Sequence, residues 1–389
     1  MTVTMKRFLF RAVSLFAIAL IGLATAPLAR ALDLTIENKN PKFNDDNVYV
    51  MFENVQDANV SSKTPYKLSQ LPKPVRVGKA FGRIWISLGD RLQNVDAPNF
   101  NNPNLANYRA RWDKIEWTVD GSQFQCANLS SADFFSVPLE ISGGKTEDGR
   151  TVLGWKEPAA TVFAKLKALV NNFGADPVIT GDGPGGIVRV ISPSTTANPA
   201  AYSSFTPYIT AMEGKTTNIA GHFYGNPQSD YNFDATIRNE SLVMTGKGPS
   251  AGHSIVVDAD QLPVQGLYKC DPHFTVDGNP SWNFAKNDVY CAALRDVLAG
   301  FNLGFIGSSV TNPHTGRPFG EGPSSSWVNT ESKYAYAGAQ PNNPTFYNQY
   351  ANVIQQASDS YGFPFGDTFV HKPLMFLKEN KLNITVLAD

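Results

Sequence analysis

Hydrophobic and polar positions alternate with a period of two through the first third of the chain. Leu32–Asn38, Asn47–Phe52 and Phe81–Gly89 each read as a strand bounded by turn residues. In the next such run Ile115, Trp117 and Val119 share one face, while Lys114, Glu116 and Thr118 share the other. The apolar trio claims the core, which turns Glu116 and Thr118 toward solvent or a cleft. A solvated surface residue is the ordinary fate of a glutamate, and that reading stands beside a functional one. Asp133 has the parity of Phe135, Val137, Leu139 and Ile141, where a core position would be unfavourable. Ser130-Ser131-Ala132 breaks the strand just before it, so an Asp capping a turn is the bland alternative there.

The period then changes. Residues 158–173 place Val162, Phe163, Leu166, Leu169, Val170 and Phe173 at helical spacing, with Pro158 in the first turn and Gly174 as a cap. Strands at 177–180 and 187–191 flank a glycine-rich turn at 181–186. Further helical patterns cover 205–212, 288–301 and 346–358, and the chain ends in a strand at 382–387. Residues 302–343 read as long surface loops. We expect a β domain of residues 32–154 and 345–389, interrupted by a mixed α/β domain at 155–344.

Charge narrows the partners. Lys plus Arg number 33 and Asp plus Glu 34, for a net charge of −1. That balance points away from nucleic acid and anionic membrane surfaces. Lys6, Arg7 and Arg11 precede an apolar run at 12–23 and the small-x-small pattern Ala29-Arg30-Ala31. This is a leader peptide pattern, with the mature chain starting at Leu32, and it predicts a secreted monomer, extracellular or periplasmic, with no membrane segment after cleavage. Export permits a disulfide, and Cys270–Cys291 is the natural pair. Cys126 reads as a small buried hydrophobe.

Two carboxylates on neighbouring β segments are what a glycoside hydrolase needs: one acid for the leaving oxygen, one base for water. Competing motifs fall away. Gly248-Pro249-Ser250-Ala251-Gly252 fits G-x-S-x-G, but a strand follows it where a nucleophile elbow needs a helix. The glycine run at 181–186 lacks the Lys-Ser/Thr of a phosphate loop. His222, His253, His273, His314 and His371 are scattered, so no metal and no cofactor are expected. Trp85, Trp112, Trp155, Trp282, Trp327, Tyr334, Tyr336 and Tyr347 are candidate sugar platforms, though core or loop anchoring is the commoner use of such rings.

Five blocks in collinear order carry a family resemblance: Leu34–Asn38 with Val48–Val50, Gly82–Leu92, Trp112–Leu139, Val188–Pro193 and Tyr361–Asp367. Together they resemble the family 64 glycoside hydrolases, the laminaripentaose-producing β-1,3-glucanases, which are related in fold to thaumatin-like proteins. The resemblance implies a mainly β chain with an α/β insertion: a thaumatin-like β-sandwich or barrel domain, an inserted mixed α/β domain, and an acidic cleft between them. It implies an inverting endo-β-1,3-glucanase with Glu116 as general acid and Asp133 as general base, roughly 6.5–9.5 Å apart. Thr118 and Asn128 would hold sugar hydroxyls, and Asp367 would line the cleft. The partner would be a β-1,3-glucan, released as short oligosaccharides. Ser131-Ala132 and Gly366 depart from the family pattern. A non-catalytic thaumatin-like glucan-binding protein is the alternative.

Overall fold

The computed structural model describes residues 31–93, 100–122, 124–171, 176–282, 288–328, 330–331, 333–337, 346–367, 369 and 373–389. Residues 1–30, which carry the expected leader, lie outside them, as does Gly174. The chain forms two compact units. One comprises the residues up to Ser204 with Asn329–Tyr336 and Tyr347–Asp389; the other comprises Phe205–Val328 and Ala337–Phe346.

The first unit begins with β1 (Leu32–Asn38), β2 (Val48–Ala58), β3 (Tyr66–Lys67), β4 (Val75–Leu88), β5 (Arg111–Val119), β6 (Cys126–Leu129), β7 (Phe134–Phe135), β8 (Leu139–Ser142) and β9 (Val152–Gly154). Helix α1 (Ala159–Ala168), β10 (Val178–Thr180) and β11 (Ile187–Ile191) follow. The second unit contains α2 (Thr206–Ala211), β12 (Thr216–Phe223), β13 (Ser229–Arg238), β14 (Ser241–Gly246), β15 (Ser254–Val257), β16 (Phe274–Val276), β17 (Asn279–Trp282) and α3 (Val289–Leu303). The chain returns to the first unit for α4 (Gln349–Ala357), β18 (Met375–Phe376) and β19 (Lys381–Val386).

The main sheet runs β18-β6-β5-β4-β1-β19-β8-β9, with β2 also paired to β4 and β3 to β2. Lys145, just past β8, bridges back to Phe376 of β18, so the sheet is a nearly closed barrel. Alternation explains it. Leu34, Ile84, Ile115, Leu129, Ile141 and Ile384 all point inward and are 2 % exposed or less. Ile115, Trp117 and Val119 join this core, as their parity requires.

Residues 155–204 correct the expected domain boundary. β11 pairs with both β10 and β7, through Val190–Phe135 and Ile191–Phe134, and the Phe163 ring of α1 lies 5.0 Å from that of Phe135. The change of period at 158 is thus a helix added to the barrel unit, and the second unit starts at Phe205. That unit is a six-stranded antiparallel meander, β12 to β17 in order. α3 lies against β12 and β13. Its start is capped by Asp288, which accepts from the Tyr290 and Cys291 amides, and its end by Gly304 at φ 75°. The G-x-S-x-G segment lies in the β14–β15 connection, as its flanking strand predicts. Cys270 and Cys291 are buried thiols rather than the expected disulfide, and Cys270 Sγ donates to the Leu267 carbonyl at 3.6 Å. No helix among the described residues is long and apolar enough to cross a membrane.

One buried carboxylate ties β5 to the turn after β7. Asp113 accepts from the amides of Lys114 (2.9 Å), Ser136 (2.9 Å) and Val137 (3.1 Å). Burial pushes it up to about 6, against the opposite pull of Lys114 and these amides. A value raised on folding gives stability that is fully present below the unfolded value and lost as pH rises through the folded one. Urea titrations of the wild type should therefore show a loss of about 3 kcal/mol from this group between pH 4 and 7. Asp113→Asn should remove that slope.

Candidate active site

Glu116 stands on the outer face of β5, opposite Arg83 of β4 on one side and Asn128 of β6 on the other. Its Oε2 accepts a hydrogen bond from the Tyr361 phenol. Its Oε1 lies 3.6 Å from Arg83 Nε, an ion pair beyond hydrogen-bonding reach. Backbone pairing fixes Tyr361: Ser131 N–H donates to its carbonyl at 2.9 Å, and Ser130 forms a parallel bridge with it. Burial raises the Tyr361 phenol well above its usual value, helped by Glu116 and Asp367, so it stays a donor.

A bulge aims Arg83. β2 and β4 shift register between Phe52–Ile84 and Asn54–Phe81, so Gly82 and Arg83 together oppose Glu53. Gly82 has φ 105°, and a Cβ there would come within 2.5 Å of Glu53 Oε2. Only glycine permits this approach. Glu53 is held above the usual carboxylate range by burial, reinforced by Glu116 and offset by Arg83 and the Arg83 amide. Burial works against the Arg83 cation, but Glu116, Asp133, Glu53 and Tyr361 together raise it. The guanidinium also lies 5.4 Å from the Trp85 ring centre.

Asp133 enters from the segment between β6 and β7. Its Oδ2 lies 3.2 Å from Nζ of Lys114, whose side chain has no exposed surface. The Lys114 ammonium also sits 4.3 Å from the centre of the Phe134 ring. A buried cation that loses its partner costs several kcal/mol, so Lys114 and Asp133 hold each other in place. The surrounding backbone is clamped. The Asp133 carbonyl accepts from Ser192 N–H (2.9 Å) and Thr195 Oγ1 (2.6 Å), and the Ala132 carbonyl from Ser194 Oγ (2.6 Å). Tyr350 donates to the Ser131 carbonyl at 3.0 Å. Beneath them Arg189, pulled down to about 9 by burial, donates to the carbonyls of Tyr108 (3.1 Å) and Ala110 (2.8 Å), 4.7 Å from the Trp112 ring centre.

Lys114 and Glu116 are two residues apart on one strand face, so their Cα atoms are about 7 Å apart. Asp133 is thereby tied to the strand position two residues from Glu116, and both carboxylates act on Arg83. Thr118, the next residue on this face, is exposed and pairs with Phe81 and Cys126. Asn128 is buried at its register position beside Glu116. Asp367 acts electrostatically on Tyr361 and Cys126, which places it near this row. Sequence reasoning missed Arg83, Lys114, Glu53 and Tyr361 as site residues; the available signal was the parity of Lys114 and the two blocks holding Arg83 and Tyr361. Among the candidate platforms, Trp85, Trp112 and Trp327 are buried, the core use read as the commoner one, and the Trp155 ring meets that of Phe135 in a tilted contact at 4.1 Å. The Trp282 side chain lies outside the described atoms. Among the described residues no group of three His, Cys, Asp or Glu is placed to hold a metal ion.

Tyr361→Phe should lower kcat about tenfold by removing one hydrogen bond from Glu116. KM and the far-ultraviolet spectrum should stay unchanged, because the backbone pairing of residue 361 survives.

Two carboxylates in one unit, each next to a cation, are groups that a glycoside hydrolase can use as acid and base. The Glyco_hydro_64 family profile, described as β-1,3-glucanase, matches residues 33–373, and the chain belongs to that family. No curated protein matches it. Solved structures do. A laminaripentaose-producing β-1,3-glucanase in complex with laminaritetraose aligns at 16% identity with TM-score 0.60, over 93% of this chain and 99% of that one. A family 64 β-1,3-glucanase domain from Clostridium beijerinckii aligns at 17% identity with TM-score 0.61, over 94% and 100%. The family 64 laminaripentaose-producing enzyme from Paenibacillus barengoltzii, complexed with laminarihexaose, aligns at 15% identity with TM-score 0.52, over 92% and 75%. At these identities the likeness establishes a shared fold.

Proposed function

We propose that this chain is a secreted endo-β-1,3-glucanase that cleaves linear β-1,3-glucan with inversion, Glu116 acting as general acid and Asp133 as general base. The observation that supports this reading is that Asp133 pairs with Lys114, two residues from Glu116 on β5, and that both carboxylates act on Arg83. An inverting site needs room for water between its carboxyl groups, roughly 6.5–9.5 Å. Lys114 beside Asp133 favours an ionised carboxylate, the form that accepts a proton from water. Tyr361 binds Glu116 Oε2 and orients the carboxyl group, whose Oε1 faces Arg83.

In the step, water deprotonated by Asp133 attacks the anomeric carbon. The carbon–oxygen bond to the leaving sugar breaks on the opposite face as Glu116 protonates that oxygen. Thr118, Asn128 and Asp367 would take sugar hydroxyls. The barrel is read as thaumatin-like, on the five sequence blocks that resemble that superfamily's glucanases. The oligosaccharide complexes of the structural neighbours support a β-1,3-glucan as substrate, and the basic-apolar-small pattern at the N-terminus supports export.

The test is incubation with a linear β-1,3-glucan, sizing of the soluble products, and proton NMR of the first-formed anomer. Short oligosaccharides released initially as the α-anomer are expected. Co-sedimentation with glucan without any release would favour a binding protein, and β-anomeric products would overturn inversion.

A further inference from the structure

Phe81 is 52% exposed in the middle of β4. The other aromatic residues of β4, β5 and β6, namely Trp85, Trp112 and Trp117, are all buried. An isolated exposed ring needs no explanation by itself. This one has a defined place. It pairs with Thr118, whose side chain is also exposed, and Thr118 follows Glu116 on the same face of β5. The face therefore carries, in order along β5, Lys114 with Asp133, then Glu116 with Arg83, then Thr118 with Phe81. Successive positions are about 7 Å apart, and the neighbouring strand adds about 4.8 Å sideways.

Inversion imposes the same order on the reacting atoms. Water and base stand on one side of the anomeric carbon, and the leaving oxygen, its acid and the departing sugar stand on the other. Phe81 lies beyond the acid, on the side away from the base. We propose that Phe81 is the platform for the leaving-group sugar, the glucosyl unit immediately beyond the cleaved bond, with the Thr118 hydroxyl at that unit's edge. The negative face of an aromatic ring attracts the C–H-lined face of a pyranose, as it attracts other positive edges. The same ring could not serve the sugar that is attacked, because that sugar lies between Asp133 and Glu116. This inference rests on the acid and base assignment above and adds a direction to it.

Two substrates separate the sides of the bond. A linear β-1,3-glucose hexamer presents a leaving sugar. The β-fluoride of a shorter β-1,3-glucose oligomer presents none: water oxygen bonds to the anomeric carbon, fluoride departs with the bonding pair, and the water proton passes to Asp133. Phe81→Ala should lower kcat/KM on the hexamer about tenfold, or about 1.4 kcal/mol, and leave the fluoride rate unchanged. Phe81→Leu, which keeps apolar bulk without a ring, should behave like Phe81→Ala, and Phe81→Trp should retain the wild-type rate. An equal fall on both substrates, or no fall on the hexamer, overturns the assignment. If the wild type cleaves neither substrate, the glucanase reading itself fails; if it cleaves both and Phe81→Ala matches it, only the platform does.

Discussion

Glu116→Gln is expected to lower kcat on linear β-1,3-glucan by about 10²- to 10⁴-fold, the usual worth of general acid catalysis. The glutamine oxygen can still accept from Tyr361, and Arg83 keeps Glu53 beside it, so the sheet face has every reason to survive. Only the transferable proton is gone. The contrast with the glycosyl fluoride makes this specific. Fluoride leaves without protonation, so the variant should hydrolyse it at close to the wild-type rate. Initial rates on the two substrates decide the matter. A glucan rate within threefold of wild type would falsify Glu116 as the acid, and equal losses on both substrates would point to a disrupted site.

Asp133→Asn should fail on both substrates by about 10²- to 10⁴-fold, because both need an activated water. Here stability enters as well. Lys114 is fully buried and loses its ion-pair partner once the carboxylate is gone. Breaking a buried pair from one side costs about 3–5 kcal/mol, so the variant should melt well below the wild type. Lys114→Met in the same chain should recover part of that stability without recovering activity. Activity returning with stability would show that Asp133 matters for folding alone.

The parity of β5 was legible. Three apolar residues at alternate positions could only face a core, and Glu116 followed to the outside. The helices α1 and α3 were legible too, since each is written in the spacing of a few adjacent apolar residues. What surrounds the carboxylates was not. Arg83 reaches Glu116 through a bulge, and bulges leave no period in a sequence. Tyr361 arrives from far along the chain, placed by backbone bonds to Ser130 and Ser131 that side-chain identity does not encode. In the meander of β12 to β17 only β15 was read as a strand, although β13 alternates strictly, with Tyr231, Phe233, Ala235 and Ile237 buried. The tryptophans were ambiguous, because a large ring beside polar residues looks the same in sequence whether it fills a core or meets a sugar.

The parallel pairing of β1 with β19 has a bearing on biogenesis. Leu34 pairs with Leu382, and β19 then pairs with β8, so the last strand to be made sits between two made early. The paired positions are roughly 350 residues apart, which places the closing contacts among the slowest kind to form. Until residues 381–386 have left the ribosome, β1 and β8 both offer open edges to any other extended chain. The barrel therefore cannot close before β19 has been made. A chain stalled before β19 would expose two adhesive strands at once, and keeping them apart falls to whatever holds the nascent chain.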